Sequence, residues 1–313
     1  MLARLTRLTR LTPLAPLAAL LACQAPTTPP AIHTWTSGPE GFDTRSHWVD
    51  TGDQVIVFDA QFTPALAEQL LAEIRARTDA PIGAVVITHP NPDKFLGAPV
   101  FQAAGARLIA SEATAAALPE VYAYKKAFFV GAGMFTDDTF PALPTIDATF
   151  ADTLELAPEI TLHRPDHAGV TTTQTVARVG DDLIVGDLVA GRAHAWLEGG
   201  IVDGVATPDL ASWKAALAEL PELAGGDVYP GRGDVLPVDL AVAEQIDYLD
   251  RMSALVDGYL DDLDDPTAAL TGADADAHYA AITAAAEAAF PGHALAYLIT
   301  YGVYGLALQR AAE

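Results

Sequence analysis

The chain of 313 residues contains one cysteine, Cys23. That rules out an intrachain disulfide and leaves no thiolate zinc ligand for the rest of the sequence. Basic residues are scarce: 17 Lys and Arg stand against 41 Asp and Glu, for a formal charge of −24. Such a balance argues against nucleic acid and anionic lipid as partners, since both carry the same sign. The apolar stretch Leu14 to Ala22 is well short of the ~20 residues a membrane-spanning helix needs. Also missing are a Gly-x-Ser-x-Gly nucleophile elbow, a Walker-type phosphate loop and a Gly-x-Gly-x-x-Gly turn after a strand. No repeat of solenoid length is present. The acidic run Asp261-Asp262-Leu263-Asp264-Asp265 lacks the ligand periodicity of an EF-hand loop and reads as a solvated helix end.

The start of the chain reads as an address. Arg4, Arg7 and Arg10 form a basic region ahead of the Leu14 to Ala22 stretch. The sequence Leu20-Leu21-Ala22-Cys23 resembles the lipobox of bacterial lipoproteins, which implies acylation of Cys23 and a new N-terminus there. An ordinary secretory signal is the alternative. Gln24, where an Asp would imply inner-membrane retention, favours the outer membrane and a domain facing the periplasm, touching the membrane only through its lipid. Gln24 to Ala31, rich in Pro and Thr, reads as an extended tether. The expected segments are a signal over 1–22, a tether over 23–36, a globular domain over 37–238 and a helical extension over 239–313.

Within the globular part, His47 to Asp50 and Gln54 to Asp59 read as strands joined by a Gly52-Asp53 turn. Thr63 caps a helix with Pro64 at its first position and Leu66, Leu70, Leu71 and Ile74 on one face. The apolar run Ala84 to Ile87 is a buried strand, Gly97 to Ala104 a short helix and Arg107 to Ala110 another strand. Val121 to Pro144 reads as a less regular loop, whose Tyr122, Tyr124, Phe128 and Phe129 either line a site mouth or pack in the core. Strands follow over Thr171 to Arg178, Asp182 to Val185 and Asp227 to Pro230, with a helix over Ser212 to Leu220. From Asp239 onward the pattern is helical, broken at Gly272 to Asp276. Alternating strands and helices of this kind give a layered α/β domain.

The turn after Ala84 to Ile87 reads Thr88-His89-Pro90-Asn91-Pro92-Asp93-Lys94. It resembles the His-x-His-x-Asp-His motif of the metallo-β-lactamase fold superfamily, with two of four positions changed. Pro165-Asp166-His167-Ala168-Gly169 resembles the segment that delivers a third histidine. Ile184-Val185-Gly186-Asp187 resembles the one that delivers a bridging carboxylate, and Pro230-Gly231-Arg232-Gly233 stands where the family has Pro-Gly-His-Gly. The resemblance implies an αββα four-layer sandwich and a hydrolase. It assigns His89, Asn91 and His167 to a first metal position, and Asp93, Lys94, Asp187 and Arg232 to a second.

Both changed histidines of the second position are cations here, Lys94 and Arg232, while the carboxylates Asp93 and Asp187 remain. Neither cation is a metal ligand when protonated, and both can pair the carboxylates instead. A second metal is therefore not expected, and at most one zinc is. Asn91 is a weak zinc ligand and Lys94 adds repulsion. Asp166 or His163 could assist. His194 reads either as a family-like position outside the ligand shell or as a packed imidazole. His33, His47, His278 and His293 receive no role. Three readings remain open. The first is a one-zinc hydrolase of an ester or amide, with Asp93 as general base and Lys94 or Arg232 on an anionic group. The second is a metal-free binding or assembly protein of the envelope, whose partner is a small molecule or another envelope protein. The third is a metal-independent enzyme using Lys94 or His89, which ranks last because carboxylates raise the pKa of a lysine.

Overall fold

The computed structural model describes residues 30–313. The signal segment, the lipidation candidate Cys23 and the tether up to residue 29 lie outside the described residues. Two six-stranded sheets pack face to face. The first contains β1 (Ile32–Thr36), β2 (Arg45–Asp50), β3 (Val55–Phe58), β4 (Ile82–Val86), β5 (Arg107–Ser111) and β6 (Ala148–Phe150) in that spatial order. Strands β1 to β3 are antiparallel and β3 to β6 parallel. The second contains β7 (Thr153–Ala157), β8 (Ile160–His163), β9 (Val176–Val179), β10 (Asp182–Gly186), β13 (Asp227–Pro230) and β14 (Leu236–Pro237). All its pairs are antiparallel except β10 with β13. A separate hairpin joins β11 (Gly200–Val202) to β12 (Val205–Thr207). β1 lies inside the stretch that reads as tether from the sequence; Ile32–Thr36 pairs with β2 and edges the sheet.

The strands are apolar on both faces because both faces are covered. Ile56, Phe58, Val86 and Ile109 meet Ile160, Leu162, Val179 and Ile184 between the sheets. Their alternates, Val55, Val57, Val85 and Leu108, belong to an outer core with Leu66, Leu70 and Ile74 of α1 (Pro64–Arg75). Thr63 Oγ1 accepts from the Leu66 N–H at 3.3 Å and starts that helix. After β4 come a single turn of helix, α2 (Pro92–Phe95), and α3 (Ala98–Ala103), whose Phe101 joins the same outer core. On the far side, Leu183, Val185 and Val228 share a core with Trp213 and Leu217 of α5 (Leu210–Leu223). The result is an αββα sandwich. Each such side chain, once buried, contributes about 1.5–3 kcal/mol.

Two stretches differ from the sequence expectation. The first half of the expected loop is helical: α4 (Glu112–Gly131) runs twenty residues despite Pro119 in its interior, and the irregular part begins at Ala132. Residues 148–163 form β6 to β8, which the sequence reading leaves unassigned.

The C-terminal part is helical, with α6 (Val238–Asp261), α7 (Pro266–Thr271), α8 (Ala275–Ala289) and α9 (Tyr297–Ala311). It is not a separate appendage. Tyr301 of α9 stacks on Trp196 at 6.1 Å and meets Phe42 edge-on, and the Tyr297 hydroxyl donates to Asp43 at 2.6 Å. No helix among the described residues is long and apolar enough to cross a membrane.

Candidate functional site

Four chain segments end at one place: those after β3, β4, β10 and β13, two parallel pairs of strands that deliver their C-terminal ends to one edge. Open α/β sheets place ligand sites at such ends. Asp59 follows β3, Thr88 to Lys94 follow β4, Asp187 follows β10, and Arg232 follows β13. Gly231 lets the last loop close in, because a Cβ there would overlap Asp187 Oδ1. Gly186 has φ +55, and a side chain on it would strike Thr88.

The structure brings Asp93, Lys94, Asp187 and Arg232 into one buried cluster. Lys94 Nζ donates to Asp187 Oδ1 at 2.8 Å and lies 2.8 Å from Asp93 Oδ2. The Arg232 guanidinium spans the same two carboxylates, at 2.9 Å from Asp93 and in close contact with Asp187. Thr44 Oγ1 donates to Asp93 at 2.7 Å and accepts from Arg232 at 2.9 Å, and Arg232 Nε donates to the Phe42 carbonyl at 2.8 Å. Lys94 is fully buried and the other three charged residues are 5–6% exposed.

Burial opposes each of these charges, and the pairing overrides it. Asp93 faces a large desolvation penalty, yet Lys94 and Arg232 hold its carboxyl down to about 2. Asp187 is likewise held well below the usual range by Arg232 and Lys94 against the same penalty. Desolvation would lower Lys94 and Arg232, but the two carboxylates push both up. The cluster is thus fully ionised and balanced, two against two.

His89 is fully buried at the cluster's edge. Its Nδ1 is 3.0 Å from Thr88 Oγ1, and that hydroxyl lies within 3.0 Å of both Asp59 oxygens. The hydroxyl has one proton, which goes to Asp59, so His89 Nδ1 donates to Thr88. Nε2 has no hydrogen-bond partner among the described residues and lies 3.5 Å from Asp187 Oδ2. Asp59 sits at φ +66 beneath this network, and burial pushes its carboxyl up to about 6.

His167 is elsewhere. Half of its side chain is exposed, and Nδ1 lies 2.7 Å from Glu219 Oε1 on α5, whose carboxylate also accepts the backbone N–H groups of Asp166 and His167. The expected trio of His89, Asn91 and His167 is not assembled. His163 stands on β8, half-buried, and Asp166 is exposed beside His167. His194 is buried, 3.1 Å from the Tyr248 hydroxyl through Nδ1, with Nε2 unpartnered among the described residues. It faces a small void that Asp187 and Arg232 also line. Burial lowers its pKa to about 4.

A pocket opens over the cluster. Asn91, Asp93, Arg232 and Lys125 give it polar groups, and Phe42, Phe62, Phe129 and Trp196 wall it. Its free volume is about 10 Å³, room for about one water. The sequence reading missed Lys125 and its buried partner Glu198, because 73 residues separate them and neither lies in a motif.

Residues 40–232 match the sequence pattern described as the metallo-beta-lactamase superfamily. The chain belongs to the metallo-beta-lactamase superfamily. Among solved structures it is similar to the metallo-beta-lactamase from Pontibacter korlensis, at 23% identity over 72% of this chain and 96% of that one, with a TM-score of 0.51. It is also similar to TMB-1, a protein studied for substrate and inhibitor binding, at 16% identity over 71% and 93% of the two chains, with the same TM-score. At these identities the likeness speaks for the fold. No curated protein matches the chain.

Superfamily membership implies zinc, and the residues present do not fit a dinuclear centre. Lys94 Nζ stands between the two carboxylates that would share the second ion, and Arg232 pairs the same two carboxylates. Among the described residues no group of three or more His, Cys, Asp or Glu side chains is arranged to hold a metal ion.

Proposed function

We propose that this chain is a metal-free recognition protein built on the hydrolase fold of its superfamily. The observation that carries the reading is the position of Lys94 Nζ, 2.8 Å from a carboxylate oxygen of Asp93 and of Asp187. An ammonium cannot donate a lone pair, and evicting it would leave its own charge buried without a partner. Fixed protein cations therefore do the electrostatic work of a dication, and no metal-bound water forms at that position. The aromatic pocket above the cluster is the recognition surface. Acylation of Cys23 would tether the domain to the bacterial envelope, with its partners on the periplasmic side of the outer membrane.

One observation favours the alternative, a mononuclear zinc hydrolase acting on an ester or amide. The chain Asp59–Thr88–His89 orients His89 through Nδ1 and leaves Nε2 without a hydrogen-bond partner among the described residues, the usual arrangement behind a metal-ligating imidazole. This reading needs His167 to leave Glu219 and Asn91 to serve as an amide-oxygen ligand. Asp93 would then be the general base, with Lys94 and Arg232 holding an anionic group.

Elemental analysis separates the two. The full chain, expressed with zinc, iron and manganese supplied and purified without chelator, is expected to contain far less than one metal per molecule while remaining folded. One metal per chain that disappears in His89→Ala supports the hydrolase instead.

A further inference from the structure

His194 lies in the loop between β10 and β11 and is 1% exposed. Its ring packs against Tyr248, Phe290 and His293, at 5.8, 6.0 and 5.5 Å between ring centres. Nδ1 is 3.1 Å from the Tyr248 hydroxyl, whose oxygen also accepts the Ala195 N–H at 3.2 Å. Packing accounts for the carbon edges of the ring, and Tyr248 accounts for Nδ1. Neither accounts for Nε2, a buried polar atom with no hydrogen-bond partner among the described residues. Such an atom carries its full desolvation cost unless something pairs it, and buried polar atoms are nearly always paired in native proteins.

The partner has a place to sit. His194 lines a void together with Asp187, Val189, Ala190, Trp196 and Arg232. Its free volume is about 10 Å³, which admits about one water and nothing larger. Asp187 accepts from Lys94 on Oδ1 and from Arg232 on Oδ2, and a carboxylate has acceptor capacity beyond those two bonds. Arg232 commits Nε to Phe42, Nη2 to Thr44 and Asp93, and one N–H of Nη1 to Asp187, which leaves the second N–H of Nη1.

Size and charge together name the occupant. An anion in this void would face Asp187, and a cation would face Arg232. Burial keeps the His194 ring neutral, with its pKa lowered to about 4, so the ring has one N–H and one lone pair. Where Tyr248 donates to Nδ1, Nε2 carries the proton and a water accepts it. Where Nδ1 carries the proton, Nε2 accepts from the water. In both arrangements the water has a proton left for Asp187. We infer that this void binds one water molecule, which bridges His194 Nε2 to Asp187 and makes His194 a positioning residue for that carboxylate. Tyr248 belongs to α6, so a hydrogen-bonded chain then runs from the C-terminal helices through His194 to the four-charge cluster. The inference rests on the metal-free reading, since it takes Asp187 as the partner of Lys94 and Arg232 rather than of an ion.

The test is crystallographic, on the full chain as wild type, His194→Asn and His194→Gln. An Asn side chain ends where Nδ1 stands and falls short of Nε2, whereas a Gln side chain reaches the Nε2 position. The wild type is expected to show one water within hydrogen-bond distance of both Nε2 and Asp187. His194→Gln is expected to keep that bridge and His194→Asn to lose it. No water in the wild-type void, or one that does not touch Asp187, overturns the inference, and neither result depends on a variant that folds. The carbon-13 resonance of the Asp187 carboxyl gives a second readout, expected to move in His194→Asn and to return in His194→Gln. A resonance displaced equally in both variants, or in neither, assigns His194 to packing and overturns its positioning role. Elemental analysis of the same sample separates the two levels. Zinc in the protein overturns the metal-free reading and this inference with it, whereas a metal-free protein without the bridging water overturns the water site alone.

Discussion

Lys94 Nζ donates to Asp187 Oδ1 at 2.8 Å, with the lysine fully buried and the aspartate 6% exposed. The two residues are 93 positions apart and follow strands of different sheets, β4 and β10, so the bond ties the two halves together at the site. The chain has four lysines, and two of them, Lys94 and Lys125, are buried with carboxylate partners. Lysine is almost never fully buried unless paired.

Removing Lys94 alone should be costly. Lys94→Ala leaves two buried carboxylates with only Arg232 between them, and loss of one partner of a buried pair costs about 3–5 kcal/mol. The double variant K94M/D187N leaves Asp93 and Arg232 as a balanced pair and should recover most of that loss. Urea unfolding of wild type and both variants checks it. A neutral Lys94→Ala, with or without zinc, would refute the internal pairing.

Asp59 gives a pH signature of known sign. Its carboxyl is pushed up from 3.8 to about 6 by burial, so the folded state holds a proton that the unfolded state has released between those values. Stability from this group is therefore present below about pH 4 and lost as pH rises through 6. Asn suits the left-handed backbone at this position and keeps the carbonyl that accepts from Thr88. Asp59→Asn should raise stability at pH 7 by up to about 3 kcal/mol, at 1.36 kcal/mol per pKa unit, and leave it nearly unchanged at pH 4. Thermal unfolding across that range reads the difference directly.

His167 should behave as a surface residue. Its contact with Glu219 is half exposed, and exposed pairs contribute about 0–1 kcal/mol. His167→Ala is expected to shift stability by no more than that and to leave zinc uptake untouched. A His167→Ala protein that loses bound zinc in equilibrium dialysis would contradict the geometry.

Much of this architecture was legible because strands covered on both faces leave near-continuous apolar runs. Val55 to Phe58 and Ala84 to Ile87 are such runs, each ending in a turn that carries the site. The alternating pattern of Thr153 to Ala157 and Ile160 to His163 was present too, but those strands are only five and four residues long and were not assigned. β1 was hidden by the Pro- and Thr-rich residues before it. In α4, the aromatics near its end and the Gly131-Ala132-Gly133 stop suggested a loop, whereas packing of Leu118, Val121 and Phe129 holds the helix. At the site, the charges of Lys94 and Arg232 were readable from one position each. The outward turn of His167 was not, because its partner Glu219 comes from a different element. Lys125 and Glu198 carry no local signal at all; only the fold makes them neighbours.

On the reading proposed above, Lys94 and Arg232 stand in for a metal ion. The most direct measurement is a calorimetric zinc titration of wild type and K94H/R232H side by side. The double variant restores two imidazoles beside Asp93 and Asp187, so the account predicts stoichiometric zinc binding by the variant and none by wild type. Tight zinc binding by the wild-type protein, with Lys94 and Arg232 in place, would contradict it.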